Sequence, residues 1–132
     1  MTEADFLNVM RGIAGSWTDG DASRAAGFFH VDAVYEEPPK QQFYRGQKTI
    51  LAFFTDVMSD GPQLTMKWRN TAFDPKTNVG FGEYTFARVK QFHGIVVIQF
   101  RDHKIFRWRE YQYQSDLGWA EFAGESEFSC TD

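Results

Sequence analysis

Cysteine is almost missing from this chain. Cys130 is the only one among 132 residues, so no disulfide can close within the chain and no thiolate metal cluster can be built. Histidine is scarce too: His30, His93 and His103 show no ligand spacing, and no metal site is expected. Positive charge is outnumbered, 14 Lys and Arg against 18 Asp and Glu for a net −4. The cations are scattered, with no basic stripe to neutralise phosphates, so nucleic acid is not an expected partner. The longest wholly apolar run, Ile95 to Ile98, is far short of the roughly 20 residues that span a bilayer, so no membrane partner is expected. No charged stretch followed by an apolar run opens the chain, and a lone thiol suits a reducing compartment; the expectation is a cytoplasmic protein. Neither a glycine-rich phosphate loop nor a nucleophile elbow is found, and no cofactor is implied. Repeats, low-complexity stretches and linkers are also missing, which leaves one domain over residues 1–132.

Aromatic residues, by contrast, are abundant. Fourteen Phe, five Tyr and four Trp make 17% of the chain, more ring surface than a minimal core requires. Either the core is ring-rich or rings line a cavity. Periodicity then orders the elements. Phe6, Val9, Met10, Ile13 and Trp17 fall on one helical stripe behind Thr2 as N-cap. Asp21 opens a short helix over Ala22 to Phe29. Ala33 to Glu37 reads as a strand closed by Pro38-Pro39. Gly46 precedes a third helix carrying Ile50, Phe53, Phe54, Val57 and Met58, which Gly61-Pro62 stops. The period then changes to two. Leu64, Met66 and Trp68 alternate with polar residues, followed by strands over Val79 to Val89, Gly94 to Phe100 and Lys104 to Gln114. Helices followed by a run of strands predict an α+β fold, an antiparallel sheet with helices on one face. The segment 115–132 carries Trp119, Phe122 and Phe128, and is expected to dock on the domain as a tail.

Three segments resemble the nuclear transport factor 2-like superfamily, in its SnoaL-like branch. They are Gly20-Asp21 with Phe28-Phe29 and Asp32 to Pro38, then Tyr44-Arg45-Gly46 leading into Ile50 and Phe53, then Lys104-Ile105 leading to Trp108-Arg109-Glu110-Tyr111. The resemblance implies a cone-shaped half-barrel, its curved sheet wrapped around the N-terminal helices over a deep pocket. It also implies dimerisation through the outer sheet face. The scaffold hosts isomerases, cyclases, dehydratases, epoxide hydrolases and binding proteins, so it does not by itself specify an activity. The ketosteroid isomerases of the superfamily have a base before a proline, here Glu37, but their two oxyanion donors fall on Ile13 and Val96. The epoxide hydrolases pair two acids through an arginine. Glu110 matches one acid, while Phe81 stands where the arginine two residues before Glu83 belongs. The SnoaL-like cyclases need one pocket acid, which Glu37 or Glu110 could supply.

Strand alternation assigns side chains to the pocket independently. Glu110 and Gln112 share the parity of Phe106 and Trp108; Tyr35 and Glu37 share that of Ala33; Trp68 points inward with Leu64 and Met66. A carboxylate among rings is how a protein raises a carboxyl pKa for acid–base work. The candidate catalytic residues are therefore Glu110, Glu37 and His93, and the candidate ligand contacts Tyr35, Trp68, Trp108, Glu83 and Gln112. The parity of the strand holding Glu83 stays open, because Val79 and Phe81 compete with Tyr84 and Phe86. Glu110 has a structural alternative as well, a pair with Arg69 or Arg88. Two functions fit: an isomerase, cyclase or hydro-lyase acting on a small apolar or aromatic molecule, or a non-catalytic module that binds one or uses its outer sheet for a partner. A face holding Ile95, Val97, Gln99, Tyr111 and Tyr113 is too apolar to stay wet and predicts a homodimer.

Overall fold

Thr2 and Asp5 start the first helix by exchanging bonds. The Thr2 hydroxyl accepts from the Asp5 amide, and the Asp5 carboxylate accepts from the Thr2 amide at 2.9 Å, a capping box that satisfies two otherwise unpaired donors. The computed structural model describes residues 1–126 and 128; Cys130 and the end of the expected tail lie outside the described residues. Helix α1 runs Glu3–Asp19, and Gly20 ends it in the left-handed region at φ 70°. Helix α2, Ala22–Gly27, is capped by Asp21 and stops before Phe29. Strand β1 therefore begins at Phe29 and runs to Glu37, four residues earlier than alternation alone predicts. A tight turn at Pro38–Lys40 leads to β2, Gln42–Arg45, too short to show a period in the sequence. Helix α3 spans Gln47–Ser59. Strands β3 Thr65–Asp74, β4 Val79–Ala87, β5 Gln91–Arg101 and β6 Lys104–Ser115 follow, then the short helix α4, Trp119–Ala123.

The sheet order is β2-β1-β6-β5-β4-β3. All neighbours are antiparallel except β1 and β6, which run parallel with Tyr35 beside Trp108. Register shifts interrupt β1–β6, β3–β4 and β5–β6. The shifts in β3–β4 and β5–β6 each insert one extra residue and that in β1–β6 inserts three on β1; such insertions bend the strand and sharpen the local twist, so the sheet curls without closing. One of these shifts overrides the alternation read from the sequence. Phe100 pairs with Ile105 and Gln99 with Arg107, leaving Phe106 outside the pairing. Ile105 joins the core, while the Phe106 ring lies against His30, Arg101 and Arg107.

The concave face holds the core. Phe6, Met10, Ile13 and Trp17 of α1 and Ile50 and Phe54 of α3 are buried against it. Two glycines on β4 let α1 sit that low. A Cβ at Gly80 would fall 2.4 Å from the Phe6 ring, and one at Gly82 would fall 2.7 Å from the Met10 side chain. On the convex face α4 covers part of the sheet, with Phe122 at 4.2 Å from the His93 ring. No described helix is long and apolar enough to cross a membrane.

Candidate functional site

A cavity of about 300 Å³ remains between the concave face of β1, β3, β4 and β6 and the helices α1 and α3. Its apolar wall comes from Trp17, Phe53, Val57, Leu64, Met66 and Trp108, with Phe86 and Phe92 of the β4–β5 hairpin. Its polar groups are Tyr35, Glu37, Tyr84, Glu110 and Gln112, with Lys40, Gln42 and Arg88 contributed by the ends of the elements.

Glu110 is the centre of the polar group. It projects from the middle of β6, opposite Val96, and is 4% exposed. Neither Arg69 nor Arg88 pairs with it. Arg69 donates to the Thr85 hydroxyl at 3.0 Å, and Arg88 to the carbonyls of Val57 and Asp60 at the end of α3. Instead the Tyr35 hydroxyl bonds Oε1 of Glu110 and the Tyr84 hydroxyl bonds Oε2. Burial pushes the Glu110 carboxyl from the usual 4.5 up to about 7; the two tyrosine hydroxyls pull against that, and nearby Glu37 adds to the rise. The Trp108 indole N–H, buried with no hydrogen-bond partner among the described residues, lies close enough to oppose the rise weakly. Burial, and then the Glu110 charge, holds both phenols well above 10, so each stays a hydroxyl.

Proton counting distinguishes the two states of Glu110. The Tyr84 hydroxyl also lies 2.9 Å from Oε1 of Gln112, whose Nε2 donates to Glu37 at 3.1 Å. Glu37 in turn meets Lys40 at 3.3 Å. Because Glu37 accepts, the Gln112 amide must turn its oxygen toward Tyr84. One hydroxyl hydrogen cannot serve both Gln112 and Glu110. All contacts are satisfied when Glu110 carries a proton and donates it to Tyr84, which then donates to Gln112. Ionised Glu110 takes the Tyr84 hydrogen for itself and leaves the Gln112 oxygen short. The two states differ by one proton and one hydrogen bond.

The structure thus brings together five of the eight residues singled out from the sequence: Tyr35, Glu37, Trp108, Glu110 and Gln112. Trp68 stands beside the cavity without lining it, donating its indole N–H to the Met10 carbonyl at 2.6 Å. Glu83 and His93 lie on the other face of the sheet. Glu83 accepts from Asn70 at 2.7 Å, and His93 bonds the Thr85 hydroxyl and the Leu117 carbonyl beneath α4. Tyr84, the residue alternation left undecided, faces inward. A signal for it was present: Gly80 and Gly82 share its parity, and strand glycines mark close approach of another element. Among the described residues no three His, Cys, Asp or Glu side chains gather as a metal-ligand group.

Comparison with known proteins agrees with this architecture. A protein of unknown function with a cystatin-like fold from Methylobium petroleophilum superposes with a TM-score of 0.75 at 15% identity, over 99% of this chain and 95% of that one. A putative isomerase from Bacillus subtilis gives 0.73 at 18% identity, over 86% and 90%. An LEH-like epoxide hydrolase from M. tuberculosis gives 0.69 at 16% identity, over 83% and 84%. At these identities the likeness is one of fold. No curated protein sequence matches the chain. The SnoaL-like domain matches over residues 10–108, a span that runs from α1 to Trp108 and encloses most of the cavity wall, so the chain belongs to the SnoaL-like domain family.

Proposed function

We propose that this domain is an acid–base enzyme acting on a small apolar or aromatic molecule, an isomerase, cyclase or hydro-lyase, with Glu110 as the group that moves the proton. The observation that carries the reading is a buried carboxyl with a pKa of about 7 in the wall of a ring-lined cavity. A catalytic acid or base works best when its pKa lies near the working pH. Ionised Glu110 would take a proton from a carbon next to a carbonyl or from a hydroxyl, and its acid form would return that proton to a different atom. Tyr35 and Tyr84 hold the carboxyl in place and keep both oxygens directed. Epoxide hydrolysis by the paired-acid route has no support, because Glu83, the position of the second acid, faces away from the cavity and bonds Asn70.

A second reading, carriage or sensing without chemistry, has one observation in its favour: both oxygens of Glu110 already have tyrosine partners. Product analysis after incubation with apolar and aromatic carbonyl compounds separates the two. Conversion by the native protein, lost in Glu110→Gln with the melting temperature retained, supports the enzyme. Stabilisation by a compound recovered unchanged supports the binding module. We also propose that the domain forms a homodimer through the convex face, where Phe81, Ile95, Tyr111 and Tyr113 are exposed together.

A further inference from the structure

We infer that the ligand of this cavity is an apolar ring compound carrying one acidic group, which Arg88 receives where the cavity opens, with Lys40 close by. The inference rests on the cavity being the binding site and adds the charge of its occupant. Three of the lining residues lie at the ends of elements: Lys40 follows β1, Arg88 follows β4, and Phe92 is the second residue of the returning strand. Lys40 is half exposed, whereas Glu110 is buried mid-strand.

The charges on the wall do not balance. Glu37 and Lys40 offset each other as a pair. Glu110 is uncharged in its protonated state, in which the Tyr84 hydroxyl is free to donate to Gln112. Arg88 then remains, and it meets no carboxylate among the described residues. Its guanidinium has five N–H donors. Two go to the carbonyls of Val57 and Asp60. Nε is buried and has no partner among the described residues. The α3 carbonyls therefore hold the planar group in place without neutralising it, which suits a site waiting for a carboxylate or a similar planar anion. The apolar body of such a ligand would lie against Phe53, Phe86, Phe92 and Trp108, leaving its neutral carbonyl or hydroxyl end for Glu110.

Matched pairs of probes test this by isothermal titration calorimetry: phenylacetate, indole-3-acetate and 2-naphthoate, each against its primary amide. At least one acid should bind about tenfold or more tighter than its amide, the scale of one charge-assisted contact. That advantage should shrink as salt is raised, vanish in Arg88→Gln and persist in Arg88→Lys. Equal affinity of acid and amide in the native protein would overturn the inference, as would binding of no acid at millimolar concentration. An advantage that survives intact in folded Arg88→Gln would also overturn it. Because acid against amide is compared in the native protein, a variant that fails to fold does not remove the test. The outcome is separate from that for catalysis. Acids bound but never converted would leave this inference standing and remove the enzyme reading. Neutral compounds converted through Glu110, with no preference for acids, would do the reverse.

Discussion

Gly94 faces Tyr84 across the β4–β5 pair, and a Cβ on Gly94 would lie 2.7 Å from the Tyr84 hydroxyl oxygen. The bare strand is what lets the tyrosine ring lie over β5 and reach Glu110 on β6. Gly94→Ala should push the ring aside, with an overpacking cost of roughly 1–3 kcal/mol in urea unfolding. The displaced hydroxyl no longer favours the charged carboxyl, so the Glu110 pKa should rise. A variant as stable as the native protein would show that Tyr84 has room to spare.

Glu110 makes stability depend on pH in a sense opposite to most carboxylates. Its folded pKa of about 7 lies above the unfolded value near 4.5, so the folded state binds more protons between those limits. Stability is then greatest below about pH 4.5 as far as this group is concerned, and falls as pH rises to about 7. The full change is about 3 kcal/mol. The groups around it, Tyr35, Tyr84, Glu37 and Lys40, are common to Glu110→Gln, so subtracting that variant's denaturation curves isolates the effect. The native protein should lose ground to the variant across this window. Parallel curves would place the carboxyl pKa near its ordinary value.

Tyr35→Phe and Tyr84→Phe each remove a donor that favours ionised Glu110. Each should therefore raise the Glu110 pKa, shifting the limb of the kcat/KM profile that reports the carboxylate to higher pH. Each should cost about 1 kcal/mol of stability. A shift to lower pH would contradict the assignment of the hydroxyls as donors.

Ile95 and Tyr111 are exposed neighbours across β5 and β6. Sedimentation at micromolar concentration should show a dimer. Ile95→Glu with Tyr111→Glu should give a monomer with an unchanged far-UV spectrum. A native monomer at that concentration would end the dimer proposal.

Much of this architecture was legible where one period ruled a segment. The α1 stripe, the strand closed by Pro38 and the alternation from Trp108 to Gln112 placed Tyr35, Glu37, Glu110 and Gln112 on one face, where they meet. His93 was within reach of the same logic, since it shares parity with the outward Ile95. Tyr84 was not, because β4 carries rings on both faces and only its glycines distinguish them. Bulges erase parity locally, which is why Phe106 leaves the row that Trp108 continues. Lys40 and Arg88 sit at element ends, where no period exists and only the fold brings distant segments to one opening.

The most direct test is a carbon-13 NMR titration of the Glu110 side-chain carboxyl, assigned by its loss in Glu110→Gln. The expected midpoint is near pH 7, from burial opposed by two tyrosine hydroxyls. A midpoint near 4.5 would mean the carboxyl is an ordinary ionised group at neutral pH, and would contradict its role in moving a proton.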